Sequence, residues 1–85
     1  MSKMNQILFK LKEYIYKNVM DKEEYDTELD YILQMVMFDI KRNTTPNINE
    51  LTEYIYKNVM DKEDYDTELD YMLEIIKFEY MHTKS

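Results

Sequence analysis

A repeat with a fixed offset of 40 residues constrains the fold of this chain more than any other feature of its sequence. The segment 11–40 aligns on 51–80 without a gap, so two copies of one block follow each other. Such a repeat means that one structural unit is used twice, and two copies are too few for a solenoid. We therefore predict an all-α protein in which two tandem α-helical hairpins pack as a small four-helix bundle.

The repeat divides one small domain into two similar halves. Eighty-five residues suffice for a single domain. A unit of about forty residues is near the lower limit for independent folding, so the two copies should share a core. We expect a single domain over 1–85, with repeat 1 at about 5–41, a linker at 42–47 and repeat 2 at about 48–82.

Apolar residues at helical spacing predict two helices, A and B, in each copy. Helix A is expected over about 5–19 and 47–59, and helix B over about 22–41 and 62–81. The residues of repeat 1 that are predicted to face the core are Ile7, Leu8, Leu11, Ile15 and Val19 on helix A, and Tyr25, Leu29, Ile32, Leu33, Val36 and Ile40 on helix B. Because the turn between them lacks glycine, a kinked and nearly continuous helix is an alternative to the hairpin.

An aspartate stands at the predicted start of each helix B. We expect Asp21 to act as the N-cap, with Glu24 at the third helical position as in a capping box. Asp61 and Asp64 occupy the same places in repeat 2, where the shorter aspartate is the weaker reciprocal partner.

A second apolar stripe lies on helix B, on the side opposite the core stripe. It consists of Tyr31, Met35 and Phe38 in repeat 1 and of Tyr71, Ile75 and Phe78 in repeat 2. A helix that is apolar on two sides is normally buried on both. We therefore expect these side chains to be buried, either between the two B helices about a pseudo-two-fold axis or in a dimer or partner interface.

The net charge of −7 is concentrated in two blocks, 13–31 and 53–71. Each block holds seven acids and two lysines, so the remainder of the chain is net positive. Direct binding to nucleic acid is disfavoured, because phosphate contacts need a basic face. The density of acids instead approaches that of the phosphates along one DNA strand, which are about 3.4 Å apart.

The two acidic blocks have hardly diverged from each other. Position 24 against 64 is the one difference between 13–31 and 53–71, whereas seven of the next nine positions differ. The identical stretch includes residues expected to face water, such as Lys17 and Glu28, which core packing does not dictate. Their retention indicates a surface kept for use, and a recent duplication or recombination is the alternative explanation.

The sequence lacks the usual signatures of catalysis. There is no cysteine for a disulfide, a thiolate nucleophile or a zinc–thiolate site. Glycine is absent as well, so a Gly-rich phosphate-binding loop is ruled out. The lone histidine stands near the end of the sequence, away from any candidate nucleophile. We expect no enzyme activity and no cofactor.

Metal-binding patterns are incomplete. The run that begins at Asp21 fails as an EF-hand loop, because its sixth and twelfth positions hold Asp26 and Ile32 in place of glycine and glutamate. Glu79 and His82 have the Glu-x-x-His spacing of di-iron bundles, but repeat 1 has no equivalent pair. We expect no metal site, and a metal-binding helical bundle is kept as a third hypothesis.

Acidic residues bordered by tyrosines suit an arginine- or lysine-rich protein surface. We predict a small non-enzymatic binding module, an inhibitor or regulator that occupies a basic surface of a partner, such as a nuclease or another nucleic-acid-binding protein. DNA-mimic, immunity, antitoxin and phage anti-defence proteins act in this way. The predicted partner-binding residues are Tyr16, Glu23, Glu24, Asp26, Glu28 and Asp30 in repeat 1 and Tyr56, Glu63, Asp64, Asp66, Glu68 and Asp70 in repeat 2.

The second functional hypothesis is a structural or regulatory homo-oligomer, for example a homodimer, whose acidic face keeps it in solution. Neither hypothesis involves a membrane, because no apolar run is long enough to cross a bilayer. The first residues also lack an uninterrupted apolar signal core. We expect a cytoplasmic protein.

Overall fold

The computed structural model describes residues 3–21, 24–60 and 65–84. Over these residues all regular structure is helical, as predicted. The four α-helices are α1 (Lys3–Tyr14), α2 (Thr27–Lys41), α3 (Ile48–Tyr54) and α4 (Thr67–Lys84). A π-helical turn continues α1 over Ile15–Val19, and an equivalent turn continues α3 over Ile55–Val59.

The π-helical turns widen the ends of α1 and α3. In the first turn the Met20 N–H donates to the Ile15 carbonyl at 2.9 Å, across five residues instead of four. The Asn18 side-chain amide adds a hydrogen bond of 3.2 Å to the Tyr14 carbonyl. The equivalent bonds of the second turn measure 2.9 and 3.3 Å, so the two copies share this local geometry.

Helix α2 begins at Thr27 and not near residue 22, so the predicted N-cap is wrong. The N-cap is Asp26, whose extended backbone lets its Oδ1 accept the Leu29 N–H at 3.0 Å. Asp21 and Glu24 precede the helix and are exposed. Asp26 also accepts a hydrogen bond from another helix, as described below.

The start of α4 repeats this arrangement. The Leu69 N–H donates to Asp66 Oδ1 at 3.1 Å, and helix α4 begins one residue after Asp66. The predicted capping pair of repeat 2, Asp61 and Asp64, lies outside the described residues.

The linker between α2 and α3 is a defined turn. Asn43 has a left-handed backbone with φ of 60°, a conformation that asparagine tolerates better than most residues. The Asn43 and Thr44 N–H groups donate to the carbonyls of Ile40 and Asp39 at 3.1 and 2.8 Å, which closes the end of α2. Asn47 then caps α3 by accepting the Glu50 N–H at 3.1 Å.

The helices pack across the repeat. α1 packs mainly on α4 and touches α2 only slightly, whereas α3 packs on both α2 and α4. Among the described residues α2 and α4 make no comparable contact with each other. The order around the bundle is therefore α1, α4, α3, α2, and α2 and α4 lie at opposite corners.

Apolar side chains from all four helices form one core. Its buried members are Leu8, Leu11, Ile15, Met20, Leu29, Ile32, Leu33, Val36, Ile48, Leu51, Ile55, Met60, Leu69, Met72, Leu73 and Ile76. They include most of the predicted core residues of repeat 1, while Ile7, Val19 and Ile40 are half-buried. Tyr25 was wrongly assigned to the core: it precedes the N-cap of α2 and is 57% exposed.

The second apolar stripe is not buried between the copies, so that expectation is wrong. Tyr31, Met35 and Phe38 on α2 and Tyr71 and Phe78 on α4 are exposed. Ile75 is half-buried. The reason is the helix order, because the outer faces of helices at opposite corners of a bundle cannot meet. Burial of the stripe between chains stays a prediction.

Within residues 3–21, 24–60 and 65–84, no helix is both long enough and apolar enough to span a membrane.

Candidate partner-binding surface

Two tyrosine–aspartate hydrogen bonds join the halves of the chain reciprocally. At the end of α1, the Tyr14 hydroxyl donates to Asp66 Oδ2 at 2.7 Å. At the end of α3, the Tyr54 hydroxyl donates to the two carboxylate oxygens of Asp26 at 3.0 and 2.8 Å. Since Asp26 and Asp66 cap α2 and α4, each cap is held in place by a tyrosine of the other copy.

A second pair of tyrosines binds aspartates of its own copy. The Tyr16 hydroxyl donates to Asp30 Oδ1, and the Gln34 amide donates to the other oxygen of that carboxylate at 3.1 Å. The Tyr56 hydroxyl donates to Asp70 Oδ1 at 2.7 Å. These bonds tie the π-helical turns to the first turns of α2 and α4.

The sequence Tyr-x-Tyr explains how one segment reaches two carboxylates. Residues two positions apart do not share a helix face, so Tyr14 and Tyr16 point to different sides of the chain. Tyr14 reaches the other copy and Tyr16 reaches α2 of its own copy. Tyr54 and Tyr56 repeat the arrangement.

The hydrogen bonds favour the ionised form of two aspartates. Bonds from Tyr16 and Tyr25 hold the pKa of Asp30 below its ordinary value of 3.8. The pKa of Asp70 is lowered in the same way, chiefly by the hydroxyl of Tyr65. Both lie in the first turn of a helix, where the macrodipole also favours negative charge.

The tyrosines that donate hydrogen bonds to the other copy, Tyr14 and Tyr54, have pKa values above the ordinary tyrosine value. The hydrogen bond to Asp66 raises the pKa of Tyr14 to about 12. Burial, together with the bond to Asp26, raises the pKa of Tyr54 to about 12. Their phenols therefore remain neutral donors at physiological pH.

The predicted partner-binding residues fall into three groups. Half-buried and hydrogen-bonded within the fold are Tyr16, Asp26, Asp30, Tyr56, Asp66 and Asp70. Exposed to solvent are Glu24, Glu28 and Glu68. Outside the described residues are Glu23, Glu63 and Asp64. The first group stabilises the fold, so the second is the described part that is free to meet a partner.

Reciprocal bonding accounts for part of the identity between the two acidic blocks. If each copy binds the capping aspartate of the other, loss of a tyrosine or an aspartate from either copy breaks a bond. Reciprocal hydrogen bonding does not explain why four exposed residues are identical to their equivalents in repeat 2. These residues are Lys17, Thr27, Glu28 and Tyr31. Those positions still require another explanation.

Exposed glutamate and tyrosine side chains lie together at the start of α2 and of α4. Glu28 and Tyr31 are three positions apart, which places them on adjoining parts of one helix surface. Tyr31 is 61% exposed and its equivalent Tyr71 is 63% exposed. Within the described residues, Glu28 and its equivalent Glu68 have no ion-pair partner. We call Glu28 with Tyr31, and Glu68 with Tyr71, the Glu–Tyr patches.

The Glu–Tyr patch of α2 borders an acidic groove that the sequence analysis missed. The groove lies between α2 and α3 and is lined by three glutamates, Glu28, Glu50 and Glu53, by one cation, Lys57, and by other residues of these helices and of the turn after α3. Glu50 lies outside both acidic blocks, and its equivalent in repeat 1 is Lys10. Only the packing of α3 on α2 brings these three glutamates to one groove, so no local sequence signal could have revealed it.

In the described ranges, no group of three or more His, Cys, Asp or Glu side chains is arranged to hold a metal ion. His82 lies beside Phe78 with its ring centroid 4.0 Å away, and its Nδ1 lies 3.0 Å from the Phe78 carbonyl oxygen.

Comparison with known proteins returned no match to a protein-family model, to a curated protein or to a solved structure.

Proposed function

We propose that this protein is a small non-enzymatic binding module that occupies a basic surface of a partner protein. The observation that carries the proposal is the pair of Glu–Tyr patches, which have the same residues, the same position on a helix and nearly equal exposure. Within the described residues, the carboxylates of Glu28 and Glu68 form no ion pair.

The chemistry of a Glu–Tyr patch fits an arginine or lysine side chain. A carboxylate pairs with the cationic head, and the face of a tyrosine ring attracts the same cation when it lies within about 6 Å. Tyrosine also supplies large contact area at a low entropic cost, which is why it is enriched at interfaces. A nuclease or another nucleic-acid-binding protein offers the required basic surface, since it must contact phosphates.

The two patches favour a partner with two basic sites. We propose that the chain is an internal duplication of one helical-hairpin unit, with the helices of the two hairpins packed across the copies. A partner that reaches both patches would gain affinity, because the second contact forms at a high effective concentration.

The groove beside α2 makes the two patches unequal. Glu28 shares the groove with Glu50, Glu53 and Lys57, whereas the position equivalent to Glu50 in repeat 1 is Lys10. The stronger local negative charge favours the patch of α2 for the more basic part of the partner.

Affinity capture with matched baits tests the proposal. The wild-type protein is compared with a Glu28→Gln/Glu68→Gln variant and with a Gln6→Lys/Thr45→Lys control, which has the same net charge but changes exposed positions elsewhere. We expect the wild type and the control to retain a basic protein at low salt, and the glutamine variant to lose it.

Salt dependence supplies the second measurement. Elution should occur as the Debye length falls from about 10 Å at 0.1 M salt to about 3 Å at 1 M. Equal retention of the captured protein by all three baits, or retention that is unaffected by salt, contradicts the proposal.

A further inference from the structure

The outward face of α2 is an apolar stripe without a partner in the fold. Tyr31, Met35 and Phe38 are 61%, 43% and 51% exposed. The Arg42 guanidinium lies over the Phe38 ring, 5.2 Å from its centroid, and extends the stripe toward the end of the helix. Spacings of four, three and four residues along this row are those of the a and d positions of a coiled coil.

The two ends of this stripe carry opposite charges, so they would complement each other between two copies of α2 packed antiparallel. Glu28 lies at its amino end, and Lys41 and Arg42 lie at its carboxyl end, all three exposed. Met35 is seven positions from both Glu28 and Arg42, so an antiparallel copy centred on Met35 brings each glutamate to an arginine. Two copies of a chain with a net charge of −7 repel each other over most of their surfaces. The stretch 32–42 differs, because it has two cations and one acid and is therefore net positive.

We infer that a second copy of this chain covers the stripe, with its α2 packed antiparallel against the first. Met35 then lies beside Met35 of the second copy, and Tyr31 lies near Phe38 of the second copy. Glu28 pairs with Arg42 at both ends. The contact is isologous and closes as a two-fold dimer. The core of the contact is Met35 and Phe38, but it also covers Glu28 and Tyr31, so a dimer leaves the Glu–Tyr patch of α4 as the open one for the proposed partner.

The corresponding face of α4 lacks this complementarity. Met81 stands where α2 has Lys41, and His82 stands where α2 has Arg42. Ile75, at the centre of the face, is half-buried, while its equivalent Met35 is exposed. The α2 face is therefore the one that pairs, and the assembly stops at two copies instead of continuing through α4.

The size of the stripe sets the strength of the dimer. An aromatic side chain has about 150–250 Å² of surface, so the three exposed fractions leave on the order of 300 Å² of apolar area on each copy. A standard stable interface buries about 800 Å² on each partner. The dimer must therefore be weak and must dissociate on dilution.

Disulfide trapping tests both the contact and its register, because the chain has no cysteine of its own. Met35→Cys places two thiols beside each other at the two-fold axis. In Tyr31→Cys the two thiols are about 12 Å apart along the helices, beyond the reach of a disulfide. Ile75→Cys places the thiol at the equivalent position of α4.

We expect the Met35→Cys protein to form a covalent dimer at least tenfold faster than the other two under mild oxidation, after correction for the reactivity of each thiol toward a small alkylating reagent. Equal rates in all three variants, or faster trapping of Ile75→Cys, overturn the inference. Sedimentation of the wild type completes the test, since a monomer at millimolar concentration also overturns it.

Charge reversal provides a control that leaves the apolar contact intact. Glu28→Arg and Arg42→Glu should each weaken dimerisation by about tenfold, because the symmetric dimer contains two such pairs. The double variant should recover the wild-type dissociation constant. Additive weakening in the double variant rules out the antiparallel register.

Discussion

The hydroxyl of Tyr14 lies 2.7 Å from Asp66 Oδ2, so the end of the first helix is fastened to the cap of the last. Asp66 also accepts the Leu69 N–H at 3.1 Å, and one carboxylate thereby fixes both the start of α4 and its position against α1. Tyr54 and Asp26 repeat the relationship for α3 and α2. Our expectations for stability rest on these two pairs.

Tyr14→Phe should lower the free energy of unfolding by about 1 kcal/mol, because a half-buried hydrogen bond to a carboxylate is lost. Chemical denaturation measures the change. A double-mutant cycle with Asp66→Asn should show that the two substitutions are not additive. Tyr31→Phe is the control, since that exposed hydroxyl has no hydrogen bond within the described residues and its loss should have almost no effect. Additivity in the cycle would contradict the pairing.

Asp26→Ala should cost about 2 kcal/mol, about half from loss of the helix cap and half from loss of the acceptor for Tyr54. Asp21→Ala should change the stability by less than about 0.5 kcal/mol, as an exposed residue outside the helix should. Comparing the two variants distinguishes the observed N-cap, Asp26, from the N-cap predicted from sequence, Asp21. A larger effect at Asp21 would place the cap there.

Stability should fall at both ends of the pH range. The pKa values of Asp30 and Asp70 are depressed in the folded protein, so their contribution is present above pH 4 and is lost as pH falls through those lowered values. The pKa values of Tyr14 and Tyr54 are raised to about 12, so their contribution is complete below pH 10 and is lost between about pH 10 and 12.

The loss of stability at alkaline pH can be measured by ultraviolet titration of tyrosinate together with denaturation at each pH. In the wild type some tyrosines should ionise late, after the exposed ones, and unfolding should accompany their ionisation. Tyr14→Phe/Tyr54→Phe should reduce the fall in stability above pH 10 without abolishing it, because the pKa values of Tyr16 and Tyr56 are raised as well. A single titration step at the ordinary tyrosine pKa would show that the crossing hydroxyls are not engaged.

Leu33→Ala should destabilise the protein by about 2–5 kcal/mol, because it leaves a cavity among the buried side chains of the core. Phe38→Ala should cost less than about 0.5 kcal/mol at a concentration where the chain is monomeric, since that ring is 51% exposed. The two positions were both predicted to be buried, and they lie on opposite faces of α2. Similar losses at both positions would require Phe38 to be covered within the monomer.

The sequence pattern predicted the helical class and most of the core, because Leu8, Leu11 and Ile15 recur at a spacing that only a helix places on one face. It did not locate the start of α2. Asp21 and Asp26 both offer a capping carboxylate, and the bond from Tyr54 that marks Asp26 comes from 28 residues further along the chain. Local sequence contains no information about that donor.

The sequence could not predict which helix α1 packs on, for a different reason. α2 and α4 begin with the same residues, Thr-Glu-Leu-Asp-Tyr, so periodicity cannot tell which of them α1 will contact. The same ambiguity led to the wrong expectation for Tyr31 and Phe38, whose burial required α2 and α4 to be neighbours. It also concealed the groove in which Glu50 meets Glu28.

The contact between α1 and α4 has a consequence for the synthesis of this protein. A ribosome makes α1 first, but the helix on which it chiefly packs is translated more than fifty residues later. The nascent first half must therefore keep its apolar face uncovered until α4 has left the exit tunnel. A chain cut at the linker gives two fragments that each lack the tyrosine donor for their own cap.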